Sequence, residues 1–197
     1  MYLKRIELHG FKSFADKSVV EFMPGITGIV GPNGCGKSNI TDAIRWVLGE
    51  KSAKAMRGET MTDVIFSGSE DRKAQGEAEV TLVFNNEDHF LDFDSTEVEI
   101  TRRLYRTGDS EFLLNREQCR LKDITDLIMD TGLGRDSLSI ISQNNINEFV
   151  KSKPEDRRAM NVLPMMVLLF LMKSRVKNLK RRCMHSIRKS MNFRKNY

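Results

Sequence analysis

Hydrophobic positions in this chain repeat with two different periods, and the switches between them mark the elements. "YLKRIEL" and "SVVEF" each predict a short strand, with "HGFKSFAD" between them. Pro24-Gly25 predicts a turn, and the β-branched run "ITGIVG" after it predicts a buried strand. Ile40, Ala43, Ile44, Val47 and Leu48 then recur at helical spacing and give one apolar helix face. A polar, loop-rich stretch follows, broken by an apolar island at residues 64–66. Period two returns in "EAEVTLVFNN" and "STEVEITRRLYR", as half-buried antiparallel strands require, and "TGDS" before "EFLLN" predicts a hairpin. Leu121, Ile124, Leu127 and Ile128 predict a second helix, and Pro154 opens another at "KPEDRRAM". No internal repeat occurs. Strands and helices in this succession predict an α/β fold.

Between the third strand and the first helix lies the chemistry. Gly31-Pro32-Asn33-Gly34-Cys35-Gly36-Lys37-Ser38 fits G-x-x-x-x-G-K-[ST], the phosphate loop of nucleotide triphosphatases. Such a loop must wrap tightly and turn several backbone N–H groups toward one anion, and a Cβ at Gly34 or Gly36 would crowd the phosphates. Lys37 is placed to reach the β- and γ-phosphates, and the Ser38 hydroxyl to ligate Mg²⁺. The following helix points its positive end at the same place. A nucleoside triphosphate with Mg²⁺ is the expected ligand.

Composition changes the picture mainly through charge. The 197 residues, 40% hydrophobic, suffice for one domain with an appendage. "MYLKRIELHG" reads as a strand rather than a signal peptide. Cys35, Cys119 and Cys183 lack metal-site spacing and suit a reducing cytoplasm, and His9, His89 and His185 are scattered. The net charge of +5 invites a nucleic-acid reading, but all 27 acidic residues lie at or before Asp156. Residues 161–197 carry ten Lys or Arg and no acid, so the basicity belongs to the tail. The tail opens with "NVLPMMVLLFLM", which has neither helical nor strand periodicity and is too short for the ~20 residues of a membrane-crossing helix. A membrane-surface role is a weaker alternative to disorder or misplaced sequence.

Four segments together, "LKRIELHGFKSFADK", "GPNGCGKSNITDAIRWVLGE", "MRGETMTDVIFSGS" and "GLGRDSLSIISQ", resemble the N-terminal head segment of bacterial structural-maintenance-of-chromosomes (SMC) proteins. The resemblance runs from Met1 to about Met160. It implies the N-terminal lobe of a P-loop ABC-type ATPase head, with a mixed sheet, antiparallel hairpins, a phosphate loop and a glutamine loop. In the family a C-terminal lobe, beyond a long coiled coil and hinge, supplies the acidic Walker B strand and the "LSGG" motif. Two heads clamp two ATP molecules, and hydrolysis drives chromosome condensation and partition on DNA. The implied partners are DNA, the C-terminal lobe, a second head and kleisin-type subunits, in the cytoplasm at the nucleoid and without a membrane. Carried onto this chain, Pro32, Asn33, Gly34, Cys35, Gly36, Lys37, Ser38 and Asn39 bind ATP. Gln143 touches Mg²⁺ and orders the attacking water, so Lys37 and Gln143 are the expected catalytic residues, and Ser38 and Gln143 the metal ligands. Arg57 matches a family arginine near the nucleotide or the DNA, unless it only makes a surface ion pair, and Lys12 and Ser13 lie close to the nucleotide.

The chain also departs from the family. Asn144 stands where glycine usually follows the glutamine, and after "PEDRRAM" the acid-free tail replaces the expected glutamate-rich heptads, as a frame shift or truncation near residue 160 would produce. In "DLIMDTG" an apolar run ends on Asp130 as in a Walker B strand, but its periodicity is helical and Thr131 stands at the glutamate position; "FSGSE" echoes the signature motif in the wrong place. The expected half-head therefore holds ATP without hydrolysing it. The alternatives are a complete small P-loop kinase or ATPase, a head fragment of a related DNA-repair ATPase, and a non-catalytic nucleotide-binding fragment.

Overall fold

The computed structural model describes residues 1–24, 27–129 and the backbone strand 169–171; Gln143 and Asn144, within the segment 130–168, lie outside the described residues. In chain order the elements are β1 (Tyr2–His9), β2 (Ser18–Glu21), β3 (Gly28–Val30), α1 (Lys37–Val47), a 3₁₀ turn (Met61–Val64), β4 (Glu77–Asn85), β5 (Glu97–Tyr105), β6 (Ser110–Leu114), β7 (Glu117–Cys119), α2 (Leu121–Met129) and β8 (Leu169–Leu171). Six strands form one antiparallel sheet in the order β2-β1-β4-β5-β6-β7, and β3 pairs with β8 in parallel.

Alternation sets the two faces of the large sheet. Cross-strand pairs Ala78↔Leu104, Val80↔Arg102, Leu82↔Ile100 and Phe84↔Val98 point to one side and are buried. On β1 the register slips between Leu3 and Arg5, a bulge at Lys4 that lets both Leu3 and Ile6 face the core despite their odd spacing. α1 lays Ile40, Ala43, Ile44, Trp46 and Val47 into this face, and Ile124 and Ile128 of α2 join the same cluster. Trp46 packs on Phe11 with ring centroids 5.3 Å apart.

The opposite face is a ladder of charges. Arg103 pairs with Glu79 directly across from it and lies 3.4 Å from Glu111 on β6. Arg5 reaches Glu7 at 3.0 Å and Glu99 at 3.5 Å, and the Thr81 and Thr101 hydroxyls meet at 2.8 Å. Those pairs that cross between strands, unlike Arg5–Glu7 within β1, fix register more than they add stability.

One charge sits on the buried side. Arg102 is 5% exposed, and its Nη1 donates to the carbonyls of Trp46 and Glu50, both at 2.8 Å. These carbonyls lie at and beyond the C-terminal end of α1, where the helix leaves acceptor capacity unused; the Trp46 carbonyl also accepts the Gly49 N–H at 3.2 Å. The guanidinium is sandwiched 4.7 Å from the Trp46 ring and 5.0 Å from Phe112. Burial pushes its pKa down to about 10, with the Glu50 carboxylate opposing the shift. This arginine ties the C-terminal end of α1 to β5.

Three features differ from the sequence reading. β7 follows a two-residue turn at Asn115 and Arg116, both with left-handed φ (48° and 71°), the twist that a tight hairpin favours. β3 is not a buried strand: Val30 is 70% exposed and Gly28 is exposed, while Ile29 packs against the core. Its described partner is β8 alone, inside the tail, for which the sequence pattern predicts no strand. "LFL" is a continuous apolar run, which suits parallel pairing and carries no period-two signal. Among the described residues no helix is long and apolar enough to cross a membrane.

Candidate nucleotide site

The loop from Gly31 to Gly36 leaves β3 and enters α1, as a phosphate loop must. Gly34 and Gly36 have φ of 84° and 88°, a left-handed backbone that only glycine adopts without strain. A Cβ built on Gly34 would meet nothing within 4 Å, so the space above it is open. A Cβ on Gly36 would come within 2.7 Å of Ser13 Oγ. The second glycine is therefore required by close packing as well as by φ.

α1 begins at Lys37 with Gly36 as its N-cap, no side chain bonded to the cap and no acid in its first turn. The positive end of an eleven-residue helix thus faces the loop without a competing carboxylate. Pro32, Asn33, Cys35 and Ser38 are exposed on the same rim. Lys37 Nζ folds over the loop and donates to the carbonyls of Gly31, at 2.8 Å, and Pro32. Cys35 Sγ is 3.7 Å from that ammonium. Open backbone, an uncapped helix start, a cation and an exposed hydroxyl fit a magnesium polyphosphate.

Behind the loop a polar network gathers the remaining expected residues. Asn39 Nδ2 donates to Ser13 Oγ at 2.8 Å. Arg57 donates through Nη1 to Ser38 Oγ at 3.2 Å and through Nη2 to Asn39 Oδ1 at 2.8 Å. Lys12 Nζ bonds the Met56 carbonyl at 2.7 Å and the Asp42 carboxylate. Burial pushes the Lys12 ammonium below its usual range, Asp42 opposes that shift, and the nearby Arg57 charge adds to it. Lys12, Ser13, Lys37, Ser38, Asn39 and Arg57 thus surround one loop.

Sequence reasoning missed Asp42. It receives bonds from both Lys12 and Arg57, is 8% exposed, and lies on α1 four residues after Ser38. The available signal was that spacing, which stacks two polar side chains on a helix otherwise read for its apolar face. α2 is helical through Met129, so "DLIMDTG" begins as helix rather than as an acidic strand.

The family model described as "RecF/RecN/SMC N terminal domain" matches residues 2–140. A relative from Bacillus subtilis (strain 168), the chromosome partition protein Smc, is 60% identical over 159 residues, which cover 81% of this chain and 13% of that protein. The chain therefore spans a small part of the length of the curated relatives it matches. A solved SMC head bound to the C-winged helix domain of ScpA superposes with a TM-score of 0.76 at 42% identity, covering 82% of this chain and 50% of that one. A second structure, from a study of ATP-driven dimerization and DNA-stimulated activation of SMC ATPases, gives a TM-score of 0.73 at 42% identity, covering 81% of this chain and 97% of that one.

Proposed function

The chain belongs to the RecF/RecN/SMC N-terminal domain family, and from that premise we propose that it is the ATP-binding part of a chromosome-partition ATPase head. The observation that carries this reading is the loop itself: two left-handed glycines, Lys37 and Ser38 at the uncapped start of α1. Its backbone N–H groups cradle the polyphosphate. Lys37 exchanges the Gly31 and Pro32 carbonyls for β- and γ-phosphate oxygens. Ser38 and Gln143 would hold Mg²⁺, whose charge would offset that of the phosphates, and Gln143 would also order the attacking water. Pro32, Asn33, Gly34, Cys35, Gly36 and Asn39 line the ligand, with Lys12, Ser13 and Arg57 beside it.

The working assembly in this reading adds a C-terminal lobe, a second head, a kleisin-type subunit and DNA, in the cytoplasm. Support comes from solved SMC heads described as bound to ScpA and as dimerizing with ATP. In the same reading residues 1–160 form the lobe and 161–197 an atypical tail. Alone, the chain binds ATP weakly and does not hydrolyse it, because its sequence offers neither a Walker B carboxylate nor an opposing "LSGG" loop to complete the charge stabilisation.

Hydrolysis measured with and without a separately expressed C-terminal lobe tests this. Background rates for the chain alone, and slow turnover with the lobe that disappears in Lys37→Ala, are expected. Robust Lys37-dependent hydrolysis by the chain alone would instead establish a complete small ATPase.

A further inference from the structure

Asp42 belongs neither to the loop motif nor to the apolar face of α1, yet its Oδ2 gathers two cations. Lys12 Nζ reaches it at 2.5 Å and Arg57 Nε at 3.2 Å, with Arg57 Nη2 bonded to the same oxygen. The rest of the Arg57 fork lies over the start of the helix, on Ser38 Oγ and Asn39 Oδ1. Ser38, Asn39 and Asp42 fall within one turn of α1 and share a face, so a single planar guanidinium spans all three.

Both cations occupy left-handed backbone, with φ of 49° at Lys12 and 61° at Arg57. Neither is a glycine, so each conformation is costly, and backbone bonds hold it: Lys12 N–H to the Val64 carbonyl at 2.7 Å and Arg57 N–H to the Lys54 carbonyl at 3.0 Å. Asp42 is the contact they share. It is also nearly buried, and a buried carboxylate facing two cations keeps them close.

Arg57 Nη1 uses the Ser38 hydroxyl oxygen that a metal ion would take. Two cations on one oxygen repel, so metal at Ser38 turns Nη1 away. The bonds from Nε and Nη2 to Asp42 do not involve that oxygen and are free to persist. We propose that Asp42 is a positioning residue: it keeps Arg57 hinged, so that metal binding at Ser38 swings the guanidinium onto the phosphates instead of releasing it to solvent. The proposal rests on the nucleotide reading above. It predicts that Asp42 acts through Arg57, and only when metal accompanies the nucleotide.

The test is calorimetric titration of the 197-residue chain with ATP, once with Mg²⁺ and once with EDTA. With Mg²⁺, Asp42→Asn, Arg57→Ala and Arg57→Lys should each bind roughly tenfold more weakly than wild type, about the effect of one charge-assisted hydrogen bond. The double variant Asp42→Asn/Arg57→Ala should lose no more than Arg57→Ala alone. With EDTA the single variants should approach wild type, whereas a merely structural defect would weaken both titrations equally. Additive losses, equal losses in EDTA, or wild-type affinity of Arg57→Lys would each overturn the proposal. The Arg57→Lys arm stands even if Asp42→Asn fails to fold, because a lysine side chain at this exposed position keeps the charge and lacks only the fork. Lys37→Ala is the control for the underlying reading: if wild type shows no Lys37-dependent binding, the nucleotide site itself fails, and the hinge with it.

Discussion

Replacing Arg102 with methionine sets a buried charge against the bonds it makes, and the structure says which wins. The cost is visible in its pKa, which burial lowers to about 10. At about 1.4 kcal/mol per pH unit this is a penalty of roughly 3 kcal/mol for keeping the cation inside. Against it stand two bonds from a charged donor to the Trp46 and Glu50 carbonyls, worth about 1.5–3 kcal/mol each. Contacts with the Trp46 and Phe112 rings add about 1 kcal/mol each. The balance favours arginine. Methionine would regain apolar packing but leave the Glu50 carbonyl without its donor and the Trp46 carbonyl with the Gly49 N–H alone, at 3.2 Å. We expect Arg102→Met to lose about 3 kcal/mol, lowering the thermal midpoint by roughly 10 °C for a domain of this size. Arg102→Lys should lose most of the same amount, since an ammonium cannot span the two carbonyls and lie flat between the rings. Circular dichroism melts would read both. A methionine variant as stable as wild type would show that the burial penalty dominates, as it does for some buried ion pairs, and would refute the reasoning.

Three further outcomes follow from the same geometry. Cys35 is an exposed free thiol within the loop, so saturating Mg-ATP should protect it from alkylation; equal labelling with and without nucleotide would count against the binding pose. Gly36→Ala forces a left-handed alanine against Ser13 Oγ, 2.7 Å from its Cβ, and should cost about 1–2 kcal/mol and most of the ATP affinity, whereas Gly28→Ala, with no atom within 4 Å, should be near neutral in stability. In acid, Glu97, bonded to Lys4, and Glu7, bonded to Lys17 and Arg5, are held below their ordinary 4.5, so the unfolded chain takes up these protons first. Their contribution is full above about pH 4.5 and lost as pH falls toward the folded values, and Glu97→Gln should flatten the decline in melting temperature below about pH 5.

The parts of the fold legible in the sequence are those whose period matches their burial. β4 and β5 alternate because one face meets α1 and the other meets solvent, and α1 shows its stripe because its opposite side is polar. β7 is hidden because its turn uses Asn115-Arg116, and arginine is not a residue that announces a left-handed turn. β8 is hidden because a fully apolar run has no period to read. β3 misleads for the opposite reason: β-branched composition signals a strand but not what covers it. In the candidate site, the loop is legible because glycine and lysine spacing is local. Asp42 is not, since its partners Lys12 and Arg57 lie 30 and 15 residues away in sequence. Gln143 falls outside the described residues, and its role stays with the resemblance that suggested it.

The central claim, that Lys37 and the glycine loop bind the triphosphate, is tested most directly by equilibrium titration of Mg-ATP into the wild-type chain and into Lys37→Ala. Lys37 Nζ already bonds two loop carbonyls, so its removal deletes a cation from the site without burying a new group. The account predicts weak, saturable binding by wild type and a loss of at least about tenfold in the variant, the share of one charged phosphate contact. Identical isotherms for the two proteins would contradict it.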